Sequence, residues 1–138
     1  MTTSRASAVW EGKLRDGKGT FKAGSGAFGG AYSFRTRFEG AAGTNPEELI
    51  AAAHAACFSM ALAAGLDEAR TPATRVETTA ACTIDGLKIT TVDLKVRATV
   101  PGLDAAAFQK AAQGARDGCP VSQALKGNVT ITLDAKLD

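Results

Sequence analysis

Two cysteines of this chain stand in settings that suggest thiol chemistry. Cys57 lies deep in an alanine-rich apolar stretch, and Cys119 directly precedes Pro120. Pro120 suits the first position of a helix and makes Cys119 its N-cap, where free N–H groups and the helix dipole favour a thiolate. A thiol inside an apolar helix is ordinarily inert packing, because burial disfavours its charged form. If the fold brings the two sulfurs together, one can attack and the other resolve, which defines a thiol redox enzyme. Cys82, between Ala80-Ala81 and Thr83-Ile84, has no charged neighbour in sequence and reads as structural.

Other residues could join that chemistry. His54 precedes Cys57 by three residues, so both share a helix face. A Cys–His nucleophile pair or part of a metal site is conceivable, yet no third ligand or orienting carboxylate is spaced to join them. A histidine satisfied at the edge of the core is the simpler reading. Gly24 to Gly30 lacks the Lys-Ser/Thr of a phosphate loop and leads into a strand pattern, so it reads as a flexible loop. A working thiolate needs a cation or donor nearby. Arg35 and Arg37 are the available guanidiniums, although arginines on a half-exposed strand are more often solvated.

The elements that must position these residues follow from the pattern. Residues 6–15 alternate loosely and reach the hairpin signal Asp16-Gly17, and Thr20 to Ala23 continues as a second short strand. Tyr32 to Phe38 alternates aromatic with polar at period 2. That predicts a strand with Tyr32, Phe34, Thr36 and Phe38 on one face and Ser33, Arg35 and Arg37 on the other. Asn45-Pro46-Glu47-Glu48 is a helix start: Asn45 caps, Pro46 takes the first position and Glu48 completes a capping-box spacing. The helix runs to about Arg70, where Thr71-Pro72 ends it. Its segment Leu49 to Leu66 approaches a membrane span in length, but it is alanine-rich and flanked by acidic pairs. It is therefore expected to be the central helix of a soluble core.

Residues 74–84 and 87–100 read as two strands joined at Asp85-Gly86, with Val92, Leu94, Val96, Ala98 and Val100 on the apolar face of the second. Asp104 caps a helix over about 105–116, Cys119-Pro120 opens a short one, and Val129 to Leu137 closes as a strand. Strands arriving mainly as hairpins between helices predict an α+β fold. With sixteen Lys and Arg against fourteen Asp and Glu, and no basic run, neither nucleic acid nor an acidic membrane is suggested as a partner. Three cysteines without a C-x-x-C pair argue against a disulfide scaffold and a zinc ribbon. No secretory signal is read at the N-terminus. A single domain over 1–138, in a reducing cytoplasm and without metal or other cofactor, is expected.

Thr36-Arg37-Phe38-Glu39-Gly40, then Gly43-Thr44-Asn45-Pro46-Glu47-Glu48-Leu49-Ile50 and Ala53-His54-Ala55-Ala56-Cys57-Phe58-Ser59-Met60-Ala61-Leu62, resemble the OsmC/Ohr family of organic-hydroperoxide reductases. Gly118-Cys119-Pro120-Val121-Ser122 resembles its second cysteine motif, and the histidine before the first cysteine looks like the OsmC (osmotically inducible protein C) branch. The resemblance implies a cysteine-based peroxidase. Cys57 would attack the peroxide and become a sulfenic acid, and Cys119 would condense with it to a disulfide. An external dithiol, or a lipoyl- or thioredoxin-type reductant, would reduce that disulfide. Arg37 would hold the Cys57 thiolate, and Glu47 would orient Arg37. The implied fold is an intertwined homodimer with antiparallel sheets wrapped around long central helices.

A guanidinium in contact would offset the burial of Cys57 and steady charge on the leaving oxygen. Alanines, Phe58, Met60 and the aromatic strand residues are expected to wall a pocket for an alkyl group, favouring organic hydroperoxides over hydrogen peroxide. One geometric demand follows. On an unbroken helix the ten-residue step from Glu47 to Cys57 spans about 15 Å along the axis. Either the helix breaks between Leu49 and Ala55, or the two residues serve one site from different subunits. Two other readings stay open: a non-enzymatic dimeric carrier of apolar ligands, and an acyl-transfer enzyme using His54.

Overall fold

The computed structural model describes residues 1–138, which divide into two compact units, Met1–Leu49 and Ile50–Asp138. The first unit contains a three-stranded antiparallel sheet of β1 (Ala6–Glu11), β2 (Lys18–Ala23) and β3 (Gly29–Tyr32), in that order. The β1–β2 hairpin closes where Glu11 pairs with Lys18, and Gly12 turns the chain at φ +94°, a conformation side chains resist. Gly19 lets the Tyr32 ring lie against the backbone, since a Cβ there would stand 2.6 Å from it. Trp10 and Phe21 pack on the same ring at centroid distances of 5.6 and 6.0 Å. Gly29 and Gly30, expected in a flexible loop, instead pair with Lys22 and Phe21 as the start of β3.

The predicted strand Tyr32 to Phe38 is not a strand beyond its first residue. Ser33 caps a five-residue helix, α1 (Phe34–Phe38). The Ser33 hydroxyl accepts from the Thr36 N–H at 3.2 Å, and the Thr36 hydroxyl accepts from the Ser33 N–H at 2.9 Å. This reciprocal pair satisfies donors that a helix start leaves open. The aromatic spacing was ambiguous: positions four apart share a face in a strand and also in a helix. Phe34 and Phe38 meet at 5.0 Å across one helical turn, and the capping pair selects the helix. Arg37 is thus presented by a helix rather than a sheet face.

Helix α2 (Pro46–Glu68) starts as expected, with Asn45 accepting from the Glu48 N–H at 2.8 Å. The Glu48 carboxylate does not complete the box; it accepts instead from the Thr44 hydroxyl at 2.7 Å. The helix ends with Arg70 at φ +63°. The N–H groups of Arg70 and Thr71 return to the carbonyls of Asp67 and Leu66, a Schellman closure made without glycine. By length and composition α2 could cross a membrane. Beyond Glu47 in its first turn, it buries only a stripe within the chain, His54, Phe58, Leu62 and Leu66 at four-residue spacing, while Met60 stays 76% exposed. The helix expected at the centre of a soluble core is therefore only partly covered by its own chain.

The second unit carries β4 (Arg75–Asp85), β5 (Lys88–Thr99) and β6 (Thr130–Leu137) in that order. β4 and β5 form the expected antiparallel hairpin, with Gly86 and Leu87 at its tip. β6 runs parallel to β5, so the sheets are not both antiparallel. A parallel neighbour requires a crossover, supplied by α3 (Ala105–Gly118) and α4 (Pro120–Leu125). The core joins Val92, Leu94, Val96 and Ala98 of β5 to the α2 stripe and to Phe108, Ala112 and Ala115 of α3. Truncating Phe58 or Phe108 in such a core costs about 3–5 kcal/mol. The α+β expectation holds.

Candidate active site

Helix α3 ends and α4 begins on one residue. Cys119, at φ −65° and ψ 142°, donates its N–H to Ala115 and turns the chain, and Pro120 opens α4. The first N–H groups of a helix have no partner within it. Here two are aimed at sulfur. The Ser122 N–H points to Cys119 Sγ at 3.4 Å, and the Val121 N–H points to Cys57 Sγ at 3.5 Å. Cys119 is also near enough to Cys57 to push its thiol pKa up. The two cysteines that the sequence could only nominate are thus brought together, both as free thiols.

Their environments differ in a way the sequence inverted. Cys119, placed by pattern at a helix end, is fully buried, whereas Cys57, placed inside an apolar helix, is half-buried. Burial pushes the Cys57 thiol above its ordinary pKa, the neighbouring Cys119 pushes it further, and the Val121 N–H pulls it back. One backbone donor does not outweigh desolvation. Phe58, expected in a pocket wall, is wholly buried in the core; Met60, one turn from Cys57, is the exposed apolar neighbour. Cys82 packs partly buried against the core, as its structural reading expects.

His54 shares a helix face with Cys57 but does not pair with it. Its ring is completely buried, Nε2 lies 2.7 Å from the Ser122 hydroxyl, and Nδ1 has no partner. It is deeper and less satisfied than a core-edge histidine. Burial lowers its pKa, so the neutral imidazole is favoured. Ser122, 3% exposed, also places its hydroxyl 3.1 Å from Cys119 Sγ. The sequence reading gave Ser122 no role. Its position three residues after the N-cap was the available signal, since that residue folds back on the cap.

Arg37 and Glu47 meet in the first unit. Glu47 is 4% exposed; its Oε1 accepts from Arg37 Nη2 at 2.6 Å and Nε at 3.0 Å. Two N–H groups on one carboxylate fix the guanidinium plane as well as its charge. Asn45 braces the arrangement, capping α2 while donating to the Thr36 carbonyl of α1 at 3.1 Å. Glu47 also sits in the first turn of α2, where the helix dipole favours a carboxylate. Arg35, the alternative guanidinium, has no such carboxylate partner. No group of three or more His, Cys, Asp or Glu side chains is arranged to hold a metal ion.

An α+β scaffold with a thiol pair gathered on a helix N-terminus defines a cysteine-based redox class. The chain belongs to the OsmC-like protein family, whose model matches residues 38–134. It is 49% identical to peroxiredoxin OsmC of Escherichia coli (strain K12) over 137 residues, covering 96% of each chain. It is 37% identical to the organic hydroperoxide resistance protein of Xanthomonas axonopodis pv. citri (strain 306) over 98 residues, 68% of each. Among solved structures it resembles an organic hydroperoxide resistance protein from Elizabethkingia anophelis with a TM-score of 0.77 at 25% identity, covering 100% of this chain and 98% of that one.

Proposed function

We propose that this protein is a thiol-dependent peroxidase that reduces organic hydroperoxides, and hydrogen peroxide more weakly, in defence against oxidative stress. The Cys57 thiolate attacks the peroxide, forming an S–O bond as the O–O bond breaks and an alcohol leaves. Cys119 then attacks the Cys57 sulfenic acid; the S–S bond forms, the S–O bond breaks and water departs. An external dithiol, free or carried by a lipoyl- or thioredoxin-type protein, returns both thiols. The observation that carries this reading is the sharing of the α4 N–H groups between the two sulfurs, which holds them side by side before any oxidation.

Arg37 supplies the cation that the raised Cys57 thiol lacks, and Glu47 holds Arg37 in place. Helix α2 runs unbroken from Pro46 to Glu68, which supports the second solution to the spacing problem. The Arg37–Glu47 pair of one chain serves Cys57 of another in a homodimer. The uncovered apolar surface of α2, with Met60 beside Cys57, supports such a partner and offers the alkyl group an apolar contact. The reducing cytoplasm suits a cycle that starts from free thiols.

The deciding experiment is non-reducing mass mapping after one equivalent of alkyl hydroperoxide. A Cys57–Cys119 disulfide is expected; sulfenic or sulfinic acid on Cys57 with Cys119 still a thiol would exclude Cys119 as resolver. In Cys119→Ser, about one equivalent of peroxide is consumed per site before turnover stalls or Cys57 over-oxidises.

A further inference from the structure

We propose that Ser122 and His54 form a proton relay for Cys119 during disulfide formation, an inference that rests on Cys119 being the resolving thiol. The chain of contacts is continuous: Cys119 Sγ to Ser122 Oγ at 3.1 Å, and Ser122 Oγ to His54 Nε2 at 2.7 Å. All three side chains are buried. Cys119 therefore has to lose its proton out of reach of bulk water. Its other neighbour at the helix start, the Ser122 N–H, steadies a thiolate but cannot accept a proton. A hydroxyl backed by a neutral imidazole can.

The histidine is also costly where it stands. It occupies an apolar stripe with Phe58, Leu62 and Leu66, and its Nδ1 is left without a partner. An unsatisfied buried polar atom destabilises the fold, and an apolar residue at position 54 would avoid that. Packing alone does not call for a histidine there. A route to solvent adjoins the relay: Ser122 lines a cavity of about 510 Å³ together with Arg116, Gln123 and Lys126.

The step balances. As Cys119 Sγ gives its proton to Ser122 Oγ, the Ser122 hydroxyl passes its own to His54 Nε2. The Cys119 sulfur attacks the Cys57 sulfenic sulfur, forming S–S and breaking S–O. Cys119 is oxidised and the sulfenic sulfur reduced, each to the disulfide level. The departing hydroxide takes up one proton and leaves as water. The imidazolium, disfavoured by burial, returns its proton through Ser122 to solvent, replacing the one the hydroxide took up there, so the net proton comes from Cys119. Ser122 touches the reacting sulfur, whereas His54 is a positioning residue that acts through it.

Rapid mixing with one equivalent of alkyl hydroperoxide separates peroxide consumption from disulfide formation, the latter followed by acid-quench mass analysis. In Ser122→Ala, in His54→Gln and in the double variant, the ratio of the second rate to the first should fall on the order of 100-fold. The double variant should fall no further than either single one. Ser122→Thr, which keeps the hydroxyl, should recover the ratio. A packing role would slow both steps together, and that result overturns the relay. So does a Ser122→Ala ratio within about twofold of the parent, or additive losses in the double variant. If His54→Gln fails to fold, the Ser122→Ala and Ser122→Thr pair decides. Absence of a Cys57–Cys119 disulfide in the parent chain overturns the resolving role itself, and is seen before any substitution.

Discussion

The Arg37–Glu47 pair and the Cys57–Cys119 pair solve opposite problems. In the first, a buried carboxylate is met by a full charge on a guanidinium whose side chain remains 35% exposed. In the second, the sulfurs are met only by backbone N–H groups, a hydroxyl and each other. The first region keeps a charged group oriented, while the second holds two thiols together and favours the neutral form of Cys57. A nucleophile held in a site that raises its pKa is protected while idle and needs a cation to act. The peroxidase reading assigns that cation to Arg37, and the contrast can be broken from either side.

Cys57→Ser removes the nucleophile and should abolish turnover of an alkyl hydroperoxide; appreciable residual activity in a thiol-coupled assay would end the assignment. Arg37→Ala should slow peroxide consumption about 100-fold, the scale for losing a preorganised electrostatic group. The pH profile gives the sign. Below the Cys57 pKa the rate climbs with the thiolate fraction, so the inflection should move to higher pH in Arg37→Ala. An unchanged inflection would show that Arg37 does not act on Cys57.

Stability should be asymmetric across the ion pair. Arg37→Ala leaves a buried carboxylate unpaired, at a cost of about 3 kcal/mol. Glu47→Gln leaves a partly exposed guanidinium that water can solvate, at a cost of about 1 kcal/mol or less. Equal shifts in urea midpoints would contradict the burial difference. Smallest is Asn45→Ala, expected to cost about 1 kcal/mol through loss of the α2 cap. It should also loosen the tie from α1 to α2, so a modest loss of activity should accompany the stability change.

The helix starts at Asn45, Asp104 and Cys119 were legible because capping depends on residues within one turn of each other. The apolar face of β5 was legible because period 2 over Val92 to Val100 matches no helix. The segment 32–38 was misread for the same kind of reason: a spacing of four fits both periods, and only the Ser33–Thr36 pair separates them. Arg37 and Glu47 were nominated by resemblance, and their contact became visible once α1 replaced the expected strand.

By itself the sequence determined the α+β class, the long α2 helix and the cap at Cys119, each from local spacing, and its motifs resembled those of a peroxide-reducing family. Tertiary structure alone decided which sulfur is buried, which N–H groups face them, that β6 returns parallel to β5, and that His54 turns to Ser122 rather than to Cys57. Those contacts join positions far apart in the chain. They depend on how α2, α3 and α4 pack around one core, and no local spacing encodes that packing.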